Sequence, residues 1–390
     1  MLYPWLDWQR AWLSIGLELS RLGGAAGPLE RLLHPPRELV ARTLAASAAG
    51  ARPLAEAVRV DAPFPIHAEP VASTPFARLL HLRRPGQQRR RFLVLAPCSG
   101  YATAVISPLV TTLVAQGEVI VTEWIDARLV PAAEGGFGLR QQIELGLAAA
   151  TALGGPAHLV ALSQSGPAAL ALTALLAERA PELLPSSLAF LGCQLDPARA
   201  PSPLQQMLAR WPRELLEAQL TTVVGRGYPG AGRRVYPALL QLLAYSLVSP
   251  QLYAEVQQGL LRELAAGRAG GAYARQHADI HSLADVPAEL FVDMLDWMQG
   301  SGGWNGAAPT VAGATLDLTA LRERPVLTLE AGADELIGQG QTHALARRAR
   351  LRGARAVTLP DHRHHELFTG PGFLSGVASL LRRFYAEIDP

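Results

Sequence analysis

The chain contains no lysine. All 35 of its basic residues are arginine, which excludes lysine Schiff-base chemistry and a lysine general base and otherwise reads as genomic composition bias. Cysteine is almost as scarce. Cys98 and Cys193 alone can build neither a disulfide framework nor a zinc site, and each reads most simply as a small buried side chain. Excess charge of either sign is missing: the formal net charge is +2 and no basic block stands out, so nothing points to nucleic acid. Long hydrophobic runs are missing too, because Arg, Pro, Gly or Gln interrupts each one well short of the ~18 residues of a membrane span. The start, MLYPWLDWQRAWLSIG, carries Asp7 and Arg10 within its apolar stretch. It lacks the basic start, unbroken apolar centre and small-residue cleavage site of a signal peptide, so a cytoplasmic protein is expected. What remains is 49% hydrophobic and 17% charged over 390 residues, enough for a sizeable core in one large domain with an insertion or in two ordinary domains.

Residues 1–60 read as helices broken at GGAAGP and HPPRE. Tyr3, Trp5, Trp8 and Trp12 suit an amphipathic helix, either docked on the rest of the chain or turned to an outside surface. From Phe76 the pattern changes. FARLLHLRR alternates as a strand does, and RRFLVLAP, GEVIVTEW, AHLVALS, SSLAFLG, RPVLTLE and ARAVTLP are short apolar runs of the kind found in buried parallel strands. LRQQIELGLAAATAL and GPAALALTALLAERA separate some of them with helical spacing, so the fold is expected to be an open α/β sheet flanked by helices. Between Cys193 and about Leu321 the alternation stops. PLQQMLARW, ALLQLLAYSL, YAEVQQGLLRELAAG and AELFVDMLDWMQG are helical, and no convincing strand is visible there. The expected division is a helical segment 1–60, a core of 61–193 and 322–390, and a helical cap 194–321 over the carboxyl edge of the sheet, where open α/β folds bind ligands. There is no internal repeat.

HLVALSQSGPAALAL, residues 158–172, runs from a buried strand into a helix with two serines at the turn. A nucleophile elbow needs small residues two before and two after the nucleophile. Ser163 has Ala161 and Ser165 there; Ser165 has Ser163 and Pro167, which fits less well. The outer glycines of G-x-S-x-G are absent, and a serine before a helix is also a common cap, a role that suits Ser165. Chain order strengthens the catalytic reading. Asp334 follows VLTLE on a glycine-containing loop, and His362, His364 and His365 follow AVTLP. Serine, acid and histidine in that order, each after its own strand, is what an α/β-hydrolase triad requires. Asp334 is preferred over Glu335 for its shorter side chain and earlier place on the loop; the three histidines stay open on this reading. The backbone N–H of Gln164 is one expected oxyanion donor, and the second comes from PCSGYAT, with Ser99, Gly100 and Tyr101 as candidates. His362-x-His364 has the look of a metal pair, but no carboxylate or cysteine stands out as a further ligand. Neither a metal nor a cofactor is expected.

MLYPWLDWQR, VTEWIDARLVPAAEGGFGL (121–139), YPGAGRRVYPALLQ (228–241) and GADELIGQGQT followed by HHELFTG lie along most of the chain. In these blocks it resembles intracellular polyhydroxyalkanoate depolymerases, which hydrolyse poly(3-hydroxybutyrate) stored in bacterial granules. The resemblance implies an α/β-hydrolase with a polyester substrate, and it lands the nucleophile on Ser163, the acid on Asp334 and the base on His364. Some members carry cysteine at the nucleophile; serine here implies an oxygen-ester intermediate and no thiol sensitivity at that atom. It also argues against the polyester synthase direction, whose nucleophile is cysteine. Trp124, Asp126, Arg128, Arg233 and Arg234 in the other blocks suit structural roles better than catalytic ones. A granule surface is the implied partner, with Trp5, Trp8, Trp12 and Trp297 as contact candidates. An esterase for soluble 3-hydroxyalkanoate oligomers or other small esters, and a non-catalytic granule-binding protein, are the competing functions.

Overall fold

The structure is a computed structural model that describes residues 2–22, 28–49, 52–86, 90–98, 103–268, 270–300, 304–305 and 308–389. Three helices lead the chain: α1 (Leu2–Leu22), α2 (Pro28–Ala49) and α3 (Leu54–Asp61). The central sheet has eight strands: β1 (His67–Ser73), β2 (Ala77–Arg83), β3 (Arg91–Leu95), β4 (Glu118–Trp124), β5 (His158–Leu162), β6 (Ser187–Leu191), β7 (Val326–Ala331) and β8 (Ala354–Leu359). Their spatial order is β1-β2-β4-β3-β5-β6-β7-β8, antiparallel at the first two pairings and parallel thereafter. This is the α/β-hydrolase fold: a mostly parallel sheet flanked by helices.

The apolar runs explain the layering. Every residue of β5, β6 and β7 is buried, as parallel strands covered on both faces must be. Alternation then divides the side chains. Leu159 and Ala161 join one core with α5 (Leu139–Leu153) and α6 (Gly166–Arg179). Val160 and Leu162 join the other, with α3, with α4 (Ser107–Val114) and with the C-terminal helix Ala378–Ile388. Thus α3, although within the N-terminal stretch 1–60, packs on the sheet. β1, HAEPVAS, escapes the sequence pattern because it is an exposed edge strand with an irregular register around Pro70.

The insertion between β6 and β7 contains α7 (Pro203–Leu208), α8 (Arg213–Leu220), α9 (Ala238–Val248), α10 (Pro250–Ala265), α11 (Ala272–His281) and α12 (Ala288–Met298). Contrary to the strand-free expectation, it also has two small antiparallel sheets: Thr222–Val223, Arg234–Tyr236 and Val286–Pro287, and Trp304–Asn305, Ala308–Val311 and Ala314–Thr315. Strands of two to four residues are too short to show alternation. Helix α2 packs on α10 and α11, with Thr43 Oγ1 3.2 Å from His277 Nε2. Tyr3 is buried and hydrogen-bonded to Asp285, while Trp5, Trp8 and Trp12 of the same helix are 47%, 58% and 57% exposed. Trp297 differs from the expectation: it is only 4% exposed and donates to the Gln194 carbonyl at 2.6 Å, so it offers no outside contact.

The blocks at 121–139 and 228–241 meet at the base of the insertion. Arg233 donates to the carbonyls of Val130, Gly135 and Pro131 at 2.9, 2.6 and 2.5 Å and lies over the Phe76 ring. Arg128 pairs with Asp126 at 2.9 Å, and Asp126 accepts the Asp285 N–H at 3.2 Å. Arg234 is exposed and pairs with Glu217. Among the described residues no helix is long and apolar enough to cross a membrane.

Candidate active site

β5 ends in a single tight turn, Ser163–Ser165, and α6 starts at Gly166. Ser163 takes φ +51°, a left-handed conformation that costs a non-glycine residue about 1–3 kcal/mol and must be held by its surroundings. The turn closes because its neighbours are small. A Cβ on Gly166 would lie 2.7 Å from Leu195 Cδ2 and 2.9 Å from Cys193 Cβ. Ser165 stands at the N-cap position of α6, as the sequence suggested, but its side chain makes no capping hydrogen bond to the helix. Its buried hydroxyl accepts the Leu162 N–H at 2.8 Å and lies 2.8 Å from the Leu95 carbonyl, tying the ends of β3 and β5 together. Cys193 sits beneath the turn, and burial drives its thiol pKa upward, so it stays protonated and unreactive.

The loops after β7 and β8 approach Ser163 from the other side. They touch each other closely: a Cβ on Gly332 would come 2.3 Å from the Pro360 carbonyl oxygen. Asp334 Oδ1 accepts the N–H groups of Leu336 and Ile337 at 2.9 and 2.8 Å, which fixes the carboxylate. Its Oδ2 lies 2.8 Å from His364 Nδ1, and His364 Nε2 lies 3.0 Å from Ser163 Oγ. A carboxylate only accepts, so Nδ1 carries the proton and Nε2 is free to accept from the serine hydroxyl. All three side chains are buried or nearly so. Burial pushes the His364 pKa down most strongly as a single influence, but the charge and hydrogen bond of Asp334, with the charge of Glu335, together outweigh it and raise the pKa above the ordinary histidine value.

The other candidates separate cleanly. His362 Nε2 lies 3.0 Å from the Gly372 carbonyl, away from Ser163. His365 stands in the cavity wall with its ring edge-on to Tyr245, 5.5 Å between centroids; burial first, then the charge of His364, holds its pKa well below normal. Gln164 lines the cavity beside Ser163. Ser99, Gly100 and Tyr101 lie outside the described residues. No three His, Cys, Asp or Glu side chains among the described residues are grouped to hold a metal.

One contact has no counterpart in the sequence reading. Glu335 accepts from Ser249 Oγ at 3.1 Å and lies 3.4 Å from the His364 N–H through its other oxygen, joining the insertion to the histidine loop. The residue was visible only as a competitor for the acid role, since its partner Ser249 is 86 positions away. Above Ser163 the insertion lines a mainly apolar cavity of about 140 Å³. A buried serine with an oriented imidazole at its oxygen, opening on an apolar cavity, can attack an activated carbonyl.

No curated protein matches the sequence. Solved structures that the chain is similar to include a non-heme bromoperoxidase, BpoC, of Mycobacterium tuberculosis (16% identity, 83% of this chain and 100% of that one, TM-score 0.49). Others are a 2-hydroxy-6-oxo-6-phenylhexa-2,4-dienoate hydrolase of Rhodococcus (14%, 83% and 99%, 0.48) and the carboxylesterase CesB of Bacillus subtilis (12%, 86% and 96%, 0.47). The fold assignment stands on the strand order, without them. The family described as PHB de-polymerase C-terminus matches residues 192–389, a span that begins just after β6 and takes in both Asp334 and His364. With just over half of its length matched in this way, the chain belongs to the PHB depolymerase family.

Proposed function

We propose that the protein is a carboxylic ester hydrolase that cleaves poly(3-hydroxybutyrate)-type polyester, with Ser163 as nucleophile, His364 as general base and acid, and Asp334 as the group that orients it. The unbroken hydrogen-bond chain from Asp334 through His364 to Ser163 carries this reading; membership of the PHB depolymerase family supports the polyester. Ser163 Oγ attacks the ester carbonyl as its proton passes to His364 Nε2. The imidazolium protonates the leaving alkoxide, and the acyl group stays on Ser163 as an oxygen ester. Water then attacks, gives a proton to His364, and the proton returns to Ser163 as the free acid departs. The backbone N–H of Gln164 is assigned to the developing oxyanion, with the second donor from residues 99–101.

In this reading residues 61–193 and 322–390 form the catalytic core, 194–321 the lid and 1–60 a helical segment whose exposed tryptophans meet the granule surface. The polymer lies in cytoplasmic granules. The small size of the cavity favours a second substrate, soluble 3-hydroxyalkanoate oligomers, and rates on amorphous polymer and on short oligomers separate the two. A fluorophosphonate probe followed by peptide mapping is expected to label Ser163, and Ser163→Ala to lower kcat by roughly a million-fold. A label on another residue, or hydrolysis undiminished in the variant, rejects the assignment.

A further inference from the structure

A second and larger cavity, about 820 Å³, adjoins the one above Ser163. The two share four lining residues, Val105, Tyr245, Ile280 and His365, which form the partition between them. Val105 lies in the core, in the turn Thr103–Ile106, and His365 is the neighbour of His364 on the loop after β8. These two are held by the elements that build the site. Tyr245 on α9 and Ile280 on α11 come instead from the insertion. The half-buried Tyr245 ring stands edge-on to His365 and Ile280 is 3% exposed, so packed rings and branched carbons stand between the two cavities.

The acyl group remains bonded to Ser163 Oγ through both halves of the reaction proposed above, whereas the alcohol leaves after the first. The cavity next to Ser163 is therefore assigned to the acyl part. A cavity of about 150 Å³ accommodates a benzene-sized group, so the ≈ 140 Å³ here suits a short acyl unit of that bulk. A longer chain meets the partition. Beyond it, the larger cavity has room, with apolar surface from Leu252, Tyr273 and Leu374 and charged side chains such as Arg52, Asp279 and Arg363 elsewhere on its wall.

We propose that Tyr245 and Ile280 determine acyl length: they stand between the catalytic cavity and the larger one and restrict the acyl unit bonded to Ser163 to short 3-hydroxyacyl and simple acyl groups, while the alcohol side stays free to be long. This rests on the ester-hydrolase reading. Each methylene that gains or loses an apolar pocket changes discrimination by about 10- to 200-fold, so opening the partition is expected to be plainly measurable.

The test uses the full chain and p-nitrophenyl esters from butanoate to decanoate. Wild-type kcat/KM is expected to fall steeply with chain length. In Tyr245→Ala and in Ile280→Ala, each checked for wild-type circular dichroism, the decanoate-to-butanoate ratio of kcat/KM is expected to rise about tenfold or more. A wild-type enzyme that hydrolyses decanoate as well as butanoate overturns the proposal even if neither variant folds. An unchanged ratio in folded variants overturns it as well, and leaves the ester-hydrolase reading standing. No hydrolysis of any ester, with no label from the fluorophosphonate probe, defeats that reading and the proposal together.

Discussion

At the scale of single residues, the base role proposed for His364 decides the pH behaviour to expect. Its working form as a base is neutral, and its pKa is raised by Asp334 and Glu335 against the opposing effect of burial. Under that role, activity is expected above that pKa and is expected to be lost as pH falls through it, at a higher pH than an ordinary histidine would give. Asp334→Asn removes the largest of the raising influences. Its expected effect is a fall in kcat of about 10⁴-fold together with an acid limb of kcat/KM displaced to lower pH. A pH–rate profile of the residual activity checks both, and an unmoved limb takes His364 out of the base role. Ser163 was legible because the elbow needs small neighbours, and Ala161 and Ser165 supply them. The function of Ser165 was not, since a serine before a helix looks the same whether it caps the helix or ties two strand ends together. The three histidines could not be separated by spacing alone: His362, His364 and His365 face a carbonyl, the serine and the cavity wall through one short turn.

At the scale of elements, the fully buried strands announced themselves through mainly apolar runs, with Thr328 and Glu330 inside that of β7, and the elements between them through helical spacing; β8, expected to be buried as well, is an edge strand with Arg355, Ala356 and Thr358 exposed. What stayed hidden was too short or too polar. β1 carries Glu69 and Pro70 on an open edge, and the insertion's strands have no room for a period. The separation of the two loops that bring Asp334 and His364 to Ser163 is set by a contact of the same kind. Gly332 lies against the Pro360 backbone, where a Cβ would meet the carbonyl oxygen at 2.3 Å. Gly332→Ala is expected to destabilise the fold by about 1–3 kcal/mol and to lower kcat by spreading the loops, because small misplacements of catalytic groups are costly. Urea unfolding and steady-state kinetics on the same preparation measure the two effects; a variant unchanged in both shows that the loops are held by something else.

At the scale of the whole molecule, the association of α1 and α2 with the insertion depended on partners far away in sequence, such as Tyr3 with Asp285 and Thr43 with His277. No local pattern records such pairings. The consequence for α1 is a helix anchored at one end by a buried tyrosine and carrying Trp5, Trp8 and Trp12 outward. Replacing the three tryptophans by serine is expected to weaken co-sedimentation with poly(3-hydroxybutyrate) granules by about tenfold or more, given the apolar area each contributes; unchanged sedimentation rejects α1 as the contact. The attachments of the insertion are also uneven. On one flank Arg233 grips three carbonyls, Asp293 takes the Leu139 N–H at 2.7 Å and Trp297 holds Gln194. On the other, α10 and α11 rest on α2, and Ser249 with Glu335 bridges α10 to the histidine loop. Under the polyester reading proposed above, a door built this way has its hinges on the α12 jamb and its latch at Glu335; a polymer strand is then expected to come in from the α9–α10 side, and undoing the latch to disturb the backbone of the histidine that waits behind it.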